Sequence, residues 1–370
     1  MKVAFDLRFV RRDRPSGLYT YSLELARGLG RVEPDIRLGL VVPPGFSDES
    51  VRGVQFTSGA GFLSLWQHAA FAMSKPWGKW QPDIYHYSHF NAPACGKAAL
   101  ISTIHDLYPM IPGYCNGLFK QYFLRTINST LRRSRKVICI SNFTLGEVAR
   151  NFPAYADKLV MIGEAARTSL HVPTRTEVDE VRQRFNLPNN FVLYIGNAKP
   201  HKNLPRLIRA YAKLPAALRN QHHLVLAGNP HGFRDAGLER LAVSLGIEKQ
   251  FHLPGAVGEE DISAFYHSAR VYAQVSLMET FGLPVAEAQA LGVPCLISYA
   301  NALPQTGGSA AVIVNPEDEE EITEHLRLLL SDNILRDSLI NRGLALSKER
   351  TWDGVARQVA ELYRSVIEEL

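Results

Sequence analysis

The feature that most constrains this chain is a rhythm that runs twice. Short apolar runs alternate with stretches of helical period, pause at a polar segment, and then alternate again. The spacing predicts strands at 2–7, 36–42, 84–87, 99–104, 137–140 and 159–162, with helices at 17–29 and 118–133 and a third capped by Ser141 or Asn142. The polar segment HVPTRTEVDE, 171–180, reads as a linker. Beyond it, strands are expected at 191–195, 224–227, 252–253, 271–275, 294–298 and 311–314. Helices are expected at 204–214, 237–245, 260–268 and 285–291, with two more closing the chain at 320–330 and about 352–370. Strands alternating with helices of this length make parallel sheets covered on both faces. Two such runs predict an α/β protein of two doubly wound, Rossmann-like domains, 1–172 and 173–351. A length of 370 residues fits two domains of roughly 150–200 each. In such domains ligands sit at the carboxyl ends of the strands, here expected to face a shared cleft.

Charge is divided unevenly. Residues 1–175 hold 22 Lys and Arg against 12 Asp and Glu, whereas 176–370 hold 19 against 24. The first half, with its basic runs RFVRRDR (8–14) and RRSRK (132–136), therefore suits an anionic partner: nucleic acid, a membrane surface or a phosphorylated substrate. Four scattered cysteines without a CxxC pair argue against zinc or a disulfide framework. No apolar run approaches the ~18 residues of a spanning helix, and MKVAFDLRFV does not read as a signal peptide, so a cytoplasmic protein is expected.

Two segments carry the chemistry. In METFGLPVAEAQALGVPC, 278–295, Glu279 lies just past a strand, and Gly282 and Pro284 open the helix that holds Glu287. The backbone of Thr280, Phe281, Gly282 and Leu283 thus forms a helix N-terminus, an anion site suited to a diphosphate. Carboxylates on either side suit hydroxyls at both ends of a diphosphate, the layout of a nucleotide sugar. In YIGNAKPHKN, 194–203, Gly196 opens a turn, and Lys199, His201 and Lys202 put cations beside the same anion.

These segments resemble glycosyltransferase family four, the retaining enzymes of GT-B fold. Glu279 and Glu287 match the family's E-x7-E signature within SLMETFGLPVAEAQALGVP, and GNAKPHKN matches its G-x-x-x-P-[RH]-K-N segment. SGLYTYSLELARGL, STIHDLYPM and VICISNFTLGEV resemble its first-domain segments, so the likeness covers nearly the whole chain. The resemblance implies that Glu279 contacts donor-sugar hydroxyls and Glu287 the ribose. It implies that Lys202 stabilises the leaving diphosphate and that Gly17 lets backbone approach it. It places His105 and Asp106 near the reacting carbon and acceptor, with Asp106 either orienting His105 or bonding the acceptor. Where the family often has further basic residues, this chain has Asn197 and His201. The last helix is implied to return to the first domain.

Tyr85-His86-Tyr87-Ser88-His89 reads as acceptor-site lining, through His86 and His89. No Asp-x-Asp occurs, which fits a transferase needing neither metal nor cofactor. HYSHFNAP, TIHDLYP and KPHKN together resemble the mannosyltransferase branch, so GDP-mannose is the expected donor, with UDP-sugars open. The expected acceptor is a glycan or a lipid-diphosphate-linked glycan in surface polysaccharide synthesis, and nucleic acid is not an expected partner. Aromatic and basic residues mingle in GLFKQYFLRTINSTLRRSRK, 117–136, which suits either a core-facing helix or weak peripheral contact with an anionic inner membrane face. A sugar-nucleotide epimerase and a noncatalytic sugar-nucleotide binder remain the competing readings. A phosphorylase would need a much longer chain, and no GxGxxG follows a strand to support an oxidoreductase.

Overall fold

A computed structural model describes residues 1–9, 16–46, 48, 50–58, 77 and 79–370. Arg11, Arg12 and Arg14 of the first basic run lie outside the described residues. The chain divides into two compact units, 1–164 with 351–370, and 165–350.

The first unit is built on strands β1 (Lys2–Asp6), β2 (Arg37–Val42), β3 (Val54–Thr57), β4 (Ile84–Tyr87), β5 (Ala99–Ile104), β6 (Lys136–Cys139) and β7 (Leu159–Met161). They form one parallel sheet in the order β3-β2-β1-β4-β5-β6-β7. Its central strands are fully buried, which is why they read as unbroken apolar runs. β3 (VQFT) was not expected: it is short and mostly exposed, so its sequence lacks that run.

Helix starts follow capping chemistry. Ser16, Asn116 and Ser141 each accept a hydrogen bond from the backbone N–H three residues on, so Ser141 rather than Asn142 is the cap of the helix Asn142–Asn151. The last helix, Trp352–Glu368, belongs to this unit and packs along the helix Gly17–Val32. Gly28 makes the approach possible, because a Cβ there would lie 2.9 Å from the Trp352 carbonyl oxygen. Arg31 and Asp353 pair beside the contact at 2.6 Å.

The second unit carries β8 (Phe191–Ile195), β9 (His223–Ala227), β10 (Phe251–Gly255), β11 (Val271–Gln274), β12 (Cys295–Ser298) and β13 (Ala311–Val314). They form a parallel sheet in the order β10-β9-β8-β11-β12-β13. Three expectations are corrected here. The segment 171–180 is not a free linker: Thr174 and Glu177 form a reciprocal capping box that starts a helix, Arg175–Phe185. The division between units falls earlier than 172/173, at Glu164/Ala165, because Arg167, Ser169 and His171 bond to Glu287, Glu259 and Ser263 of the second unit. The third correction is a helix, Asn333–Glu349, that the sequence reading passed over. Its apolar residues spread around the cylinder instead of forming one stripe, and Gly343 rests against Gln289 of the helix Leu283–Ala290.

Candidate active site

In the second unit the strand order reverses between β8 and β11, which lie side by side. Loops at the carboxyl ends of two such strands open a crevice, the usual ligand position in this architecture. The two segments singled out from sequence are these two loops. After β8, a Cβ on Gly196 would stand 2.6 Å from the Tyr194 hydroxyl, which donates to the Asn197 carbonyl at 2.8 Å. A 3-10 turn, Pro200–Lys202, follows, and Asn203 closes it in the left-handed region at φ 59°. The Asn203 amide donates to the carbonyls of Val275 at 2.9 Å and Pro316 at 2.7 Å, tying this loop to the end of β11.

Across the crevice, Glu279 is 6% exposed. Its Oε1 accepts from Lys202 Nζ, Gln274 Nε2 and Ser276 Oγ, and no described residue donates to its Oε2. Lys202 and Glu279 are therefore brought into contact, with one carboxylate oxygen left for another donor. Gly282 opens the helix Leu283–Ala290 at φ 94°, and a Cβ there would meet Leu303 at 2.6 Å. The carbonyls of Glu279 and Phe281 are tied back by the Ala302 N–H and the Thr306 hydroxyl. The N–H groups of Thr280, Phe281, Gly282 and Leu283 find no acceptor among the described residues.

Two expectations for this unit change. Glu287 is not an open carboxylate: it is 1% exposed, accepting from Arg167 Nε at 2.6 Å and the Tyr266 hydroxyl at 2.9 Å. His201 is not a cation at neutral pH: burial, then Lys202, pushes its imidazole down to about 4. The charge of this loop comes from Lys199, which is exposed, and Lys202.

In the first unit, His105 follows β5. Its Nδ1 lies 3.5 Å from the buried Glu164 carboxylate, and the Tyr21 ring meets it edge-on at 4.7 Å. Burial raises the Glu164 carboxyl above its usual range, opposed by its bond to His105. His105 Nε2 is buried and finds no partner among the described residues. Glu164, not Asp106, is thus the group beside His105, since Asp106 Oδ1 accepts from the Tyr108 N–H to hold the turn.

His86 cannot line an acceptor site. It is fully buried, its Nδ1 2.6 Å from the Tyr363 hydroxyl and its Nε2 2.8 Å from Thr103, and burial pushes its imidazole down to about 3. His89 is half-buried, with Nδ1 2.7 Å from Asn91 Oδ1. Gly17 is the exposed first residue of its helix. Arg8, the first residue of the basic run read from sequence, is buried and paired with Asp6 at 2.8 Å. Among the described residues no group of three His, Cys, Asp or Glu stands ready to hold a metal ion.

Sequence reasoning missed Glu164, Arg167, Gln274 and Ser276. Glu164 had a signal, a carboxylate just past a strand end. Arg167 had none, because its partner lies 120 positions away.

Comparison with known proteins bears on the family and the fold. The family profile for "Glycosyl transferases group 1" matches residues 176–345, and that for "Glycosyltransferase Family 4" matches 15–170. The chain is 30% identical over 283 residues to O-antigen chain mannosyltransferase B of Escherichia coli, covering 76% of this chain and 74% of that one. It is 26% identical over 276 residues to the serotype-specific mannosyltransferase WbdA of E. coli, covering 72% of this chain but only 34% of WbdA. Among solved structures, sucrose-phosphate synthase from Thermosynechococcus elongatus superposes with a TM-score of 0.78 at 19% identity, over 100% of both chains, which bears on the fold alone. Two Rossmann-like parallel-sheet domains with these neighbours define the GT-B class. Within it, the chain belongs to glycosyltransferase family four.

The Arg167–Glu287 pair yields a stability test. Arg167→Met leaves a buried carboxylate with Tyr266 as its one partner, and should lose about 3 kcal/mol in urea denaturation. Adding Glu287→Gln to Arg167→Met should recover half or more of that loss. Simple addition of the two single losses would mean the groups are not coupled.

Proposed function

We propose that the chain moves a mannosyl group from GDP-mannose to a hydroxyl of a glycan or lipid-diphosphate-linked acceptor, with retention at the anomeric carbon, in bacterial surface polysaccharide synthesis. The observation that carries this reading is the contact of Lys202 with Glu279 beside the unaccepted N–H groups of Thr280 to Leu283. It joins a sugar-hydroxyl acceptor to a diphosphate cradle. Mannose as the sugar, and surface polysaccharide as the product, are favoured by the mannosyltransferases to which the chain is similar.

In this reading Glu279 offers its second oxygen to hydroxyls of the donor sugar, and the ribose meets the remaining lone pairs of Glu287, whose two oxygens also accept from Arg167 and Tyr266. Gly196 and Lys199 border the diphosphate, and Gly17 contributes backbone to it. The bond from the anomeric carbon to the phosphate oxygen breaks as the acceptor oxygen attacks from the same face. The acceptor proton passes to the departing phosphate oxygen. Lys202 and the four N–H groups stabilise the charge that develops there, so no metal is required. His105, held by Glu164, serves the reacting carbon and acceptor, with Asp106 and His89 lining the acceptor's path.

The proposal is tested by melting the protein with GDP, UDP, ADP and their sugars, with and without chelator. Stabilisation by GDP and GDP-mannose alone, unchanged by chelator, is expected. A response to UDP species overturns the donor, and a response without transfer to any acceptor turns the reading to an epimerase or a binding protein. Kinetics separate the roles: Lys202→Ala should lower kcat by about 10²–10³-fold with a small change in KM. Glu164→Gln should lower kcat less than His105→Ala does. Equal activity of His105→Ala and the parent would remove His105 from the mechanism.

Weak peripheral association with an anionic membrane surface belongs to the same proposal. Among the described residues no helix is long and apolar enough to cross a membrane. The helix Gly117–Arg133 buries Phe123, Ile127 and Leu131 in the core, and Arg133 caps the carbonyls of Ala92 and Pro93. What it leaves for lipid is Leu118, 82% exposed, with Phe119 and the neighbouring Lys120 and Arg125. Flotation with anionic vesicles at low salt should carry the protein upward, and Leu118→Ser/Phe119→Ser should abolish it. No flotation of the parent would refute the membrane role.

A further inference from the structure

The second unit contains a polar cavity of about 510 Å³ at the end of its sheet opposite the site loops. Asn190 and Arg270, in its wall, immediately precede β8 and β11, whose other ends carry Lys202 and Glu279. Four arginines line it: Arg175 and Arg182 from one helix, Arg270 before β11, and Arg336 from the helix Asn333–Glu349. Its one lining carboxylate, Asp179, lies 3.8 Å from Arg175, and both are well exposed.

Several of the deeper polar atoms lack acceptors. Nε of Arg182, Arg270 and Arg336, and the Ser268 hydroxyl, are all buried without a partner among the described residues. Arg336 is 9% exposed. Arg270 and Arg336 both direct a terminal nitrogen at one neutral oxygen, Asn333 Oδ1, and Arg182 reaches the Asn189 carbonyl at 3.0 Å. Burial, then repulsion from Arg270, pushes the Arg336 guanidinium down to about 10, with Asp337 opposing. The same two arginines add to the burial that lowers His222. Native interiors rarely leave so many buried donors together unpaired, and guanidinium forks match tetrahedral oxyanions.

We propose that this cavity is a second anion site, separate from the donor crevice, that binds a phosphate group, either free or at the end of a small phosphorylated molecule. A tetrahedral dianion supplies acceptors to Arg182, Arg270, Arg336 and Ser268 together, and Arg175 at the exposed mouth adds charge. This site does not depend on the donor assigned above.

The test measures melting temperature and affinity of the full chain with inorganic phosphate, and with glycerol 3-phosphate, against chloride at constant ionic strength. A saturable rise with phosphate is expected. It should weaken tenfold or more in Arg270→Gln and in Arg336→Met, and persist in Lys202→Ala, where the donor crevice is impaired. Tighter binding of glycerol 3-phosphate identifies an organic phosphate, and equal binding identifies the free ion. Without ligand, Arg336→Met should melt no lower than the parent, because it removes a buried charge that Arg270 repels and keeps an apolar stem. Crystals of the parent soaked in tungstate should show anomalous density between Arg270 and Arg336. No rise above chloride, a rise untouched by both arginine variants, or tungstate absent from the cavity would each overturn the site.

Discussion

The parallel pairing of β8 with β11, Val192 opposite Val271 and Leu193 opposite Tyr272, is the constraint on which the chemistry of the second domain depends. Lys202 and Glu279 stand 77 positions apart in the chain and meet because these strands are neighbours that end together. The strands are held by apolar burial on both faces, and their register fixes where each loop begins. Asn203 then converts strand register into loop position, since its amide closes on the carbonyls of Val275 and Pro316. Asn is among the few residues that tolerate the left-handed backbone this needs. Preorganisation of this kind is what makes a charge effective toward a transition state, because nothing has to be rearranged when the leaving group departs.

The same loops show how ionised groups are kept under the surface. Each signature glutamate sits beside one cation: Glu279 with Lys202, Glu287 with Arg167. An unpaired buried ion costs several kcal/mol, so these pairings are conditions for placing carboxylates there at all. They also set the chemistry. Lys202 has three donors and Glu279 takes one, which leaves capacity for a diphosphate. His201 adds no charge at neutral pH, so the positive potential comes from lysines and backbone N–H groups.

How much of this could be read from sequence follows from which interactions are local. Apolar runs such as FVLYI and VYAQ announce buried parallel strands by composition alone, and both stand where expected. The glutamates at 279 and 287 were legible because Gly282, Pro284 and the strand before them are neighbours in the chain. His86 was misread because its partners, Thr103 and Tyr363, are distant, and a histidine on a buried strand looks like one at a strand end. Arg8 looked like a surface cation, but it is buried against Asp6, whose carboxylate also accepts from the Tyr85 hydroxyl. Polar groups satisfied by long-range partners leave no periodic trace, whereas apolar faces do.

The two ends of the second sheet differ in a way that the fold alone does not require. At the carboxyl ends of β8 and β11, each buried charge has a counter-charge. At their amino ends, the Nε atoms of three arginines are buried without a hydrogen-bond partner among the described residues, and Asp337 only partly offsets the charge of Arg336. Part of the difference is offset by the fold, since the helix Ile262–Ser268 ends at the cavity and a helix C-terminus favours cations. That effect is worth about 0.3–1 kcal/mol, reaching ~2 in partly buried sites. Burying an ion such as Arg336 costs several kcal/mol, and Arg270 also repels it. The helix end therefore cannot balance the cluster. An anion with several acceptors can, by supplying the hydrogen bonds and the opposite charge in one group. A domain that retains such a cluster against its cost is better understood as shaped around a ligand than as tolerating a defect.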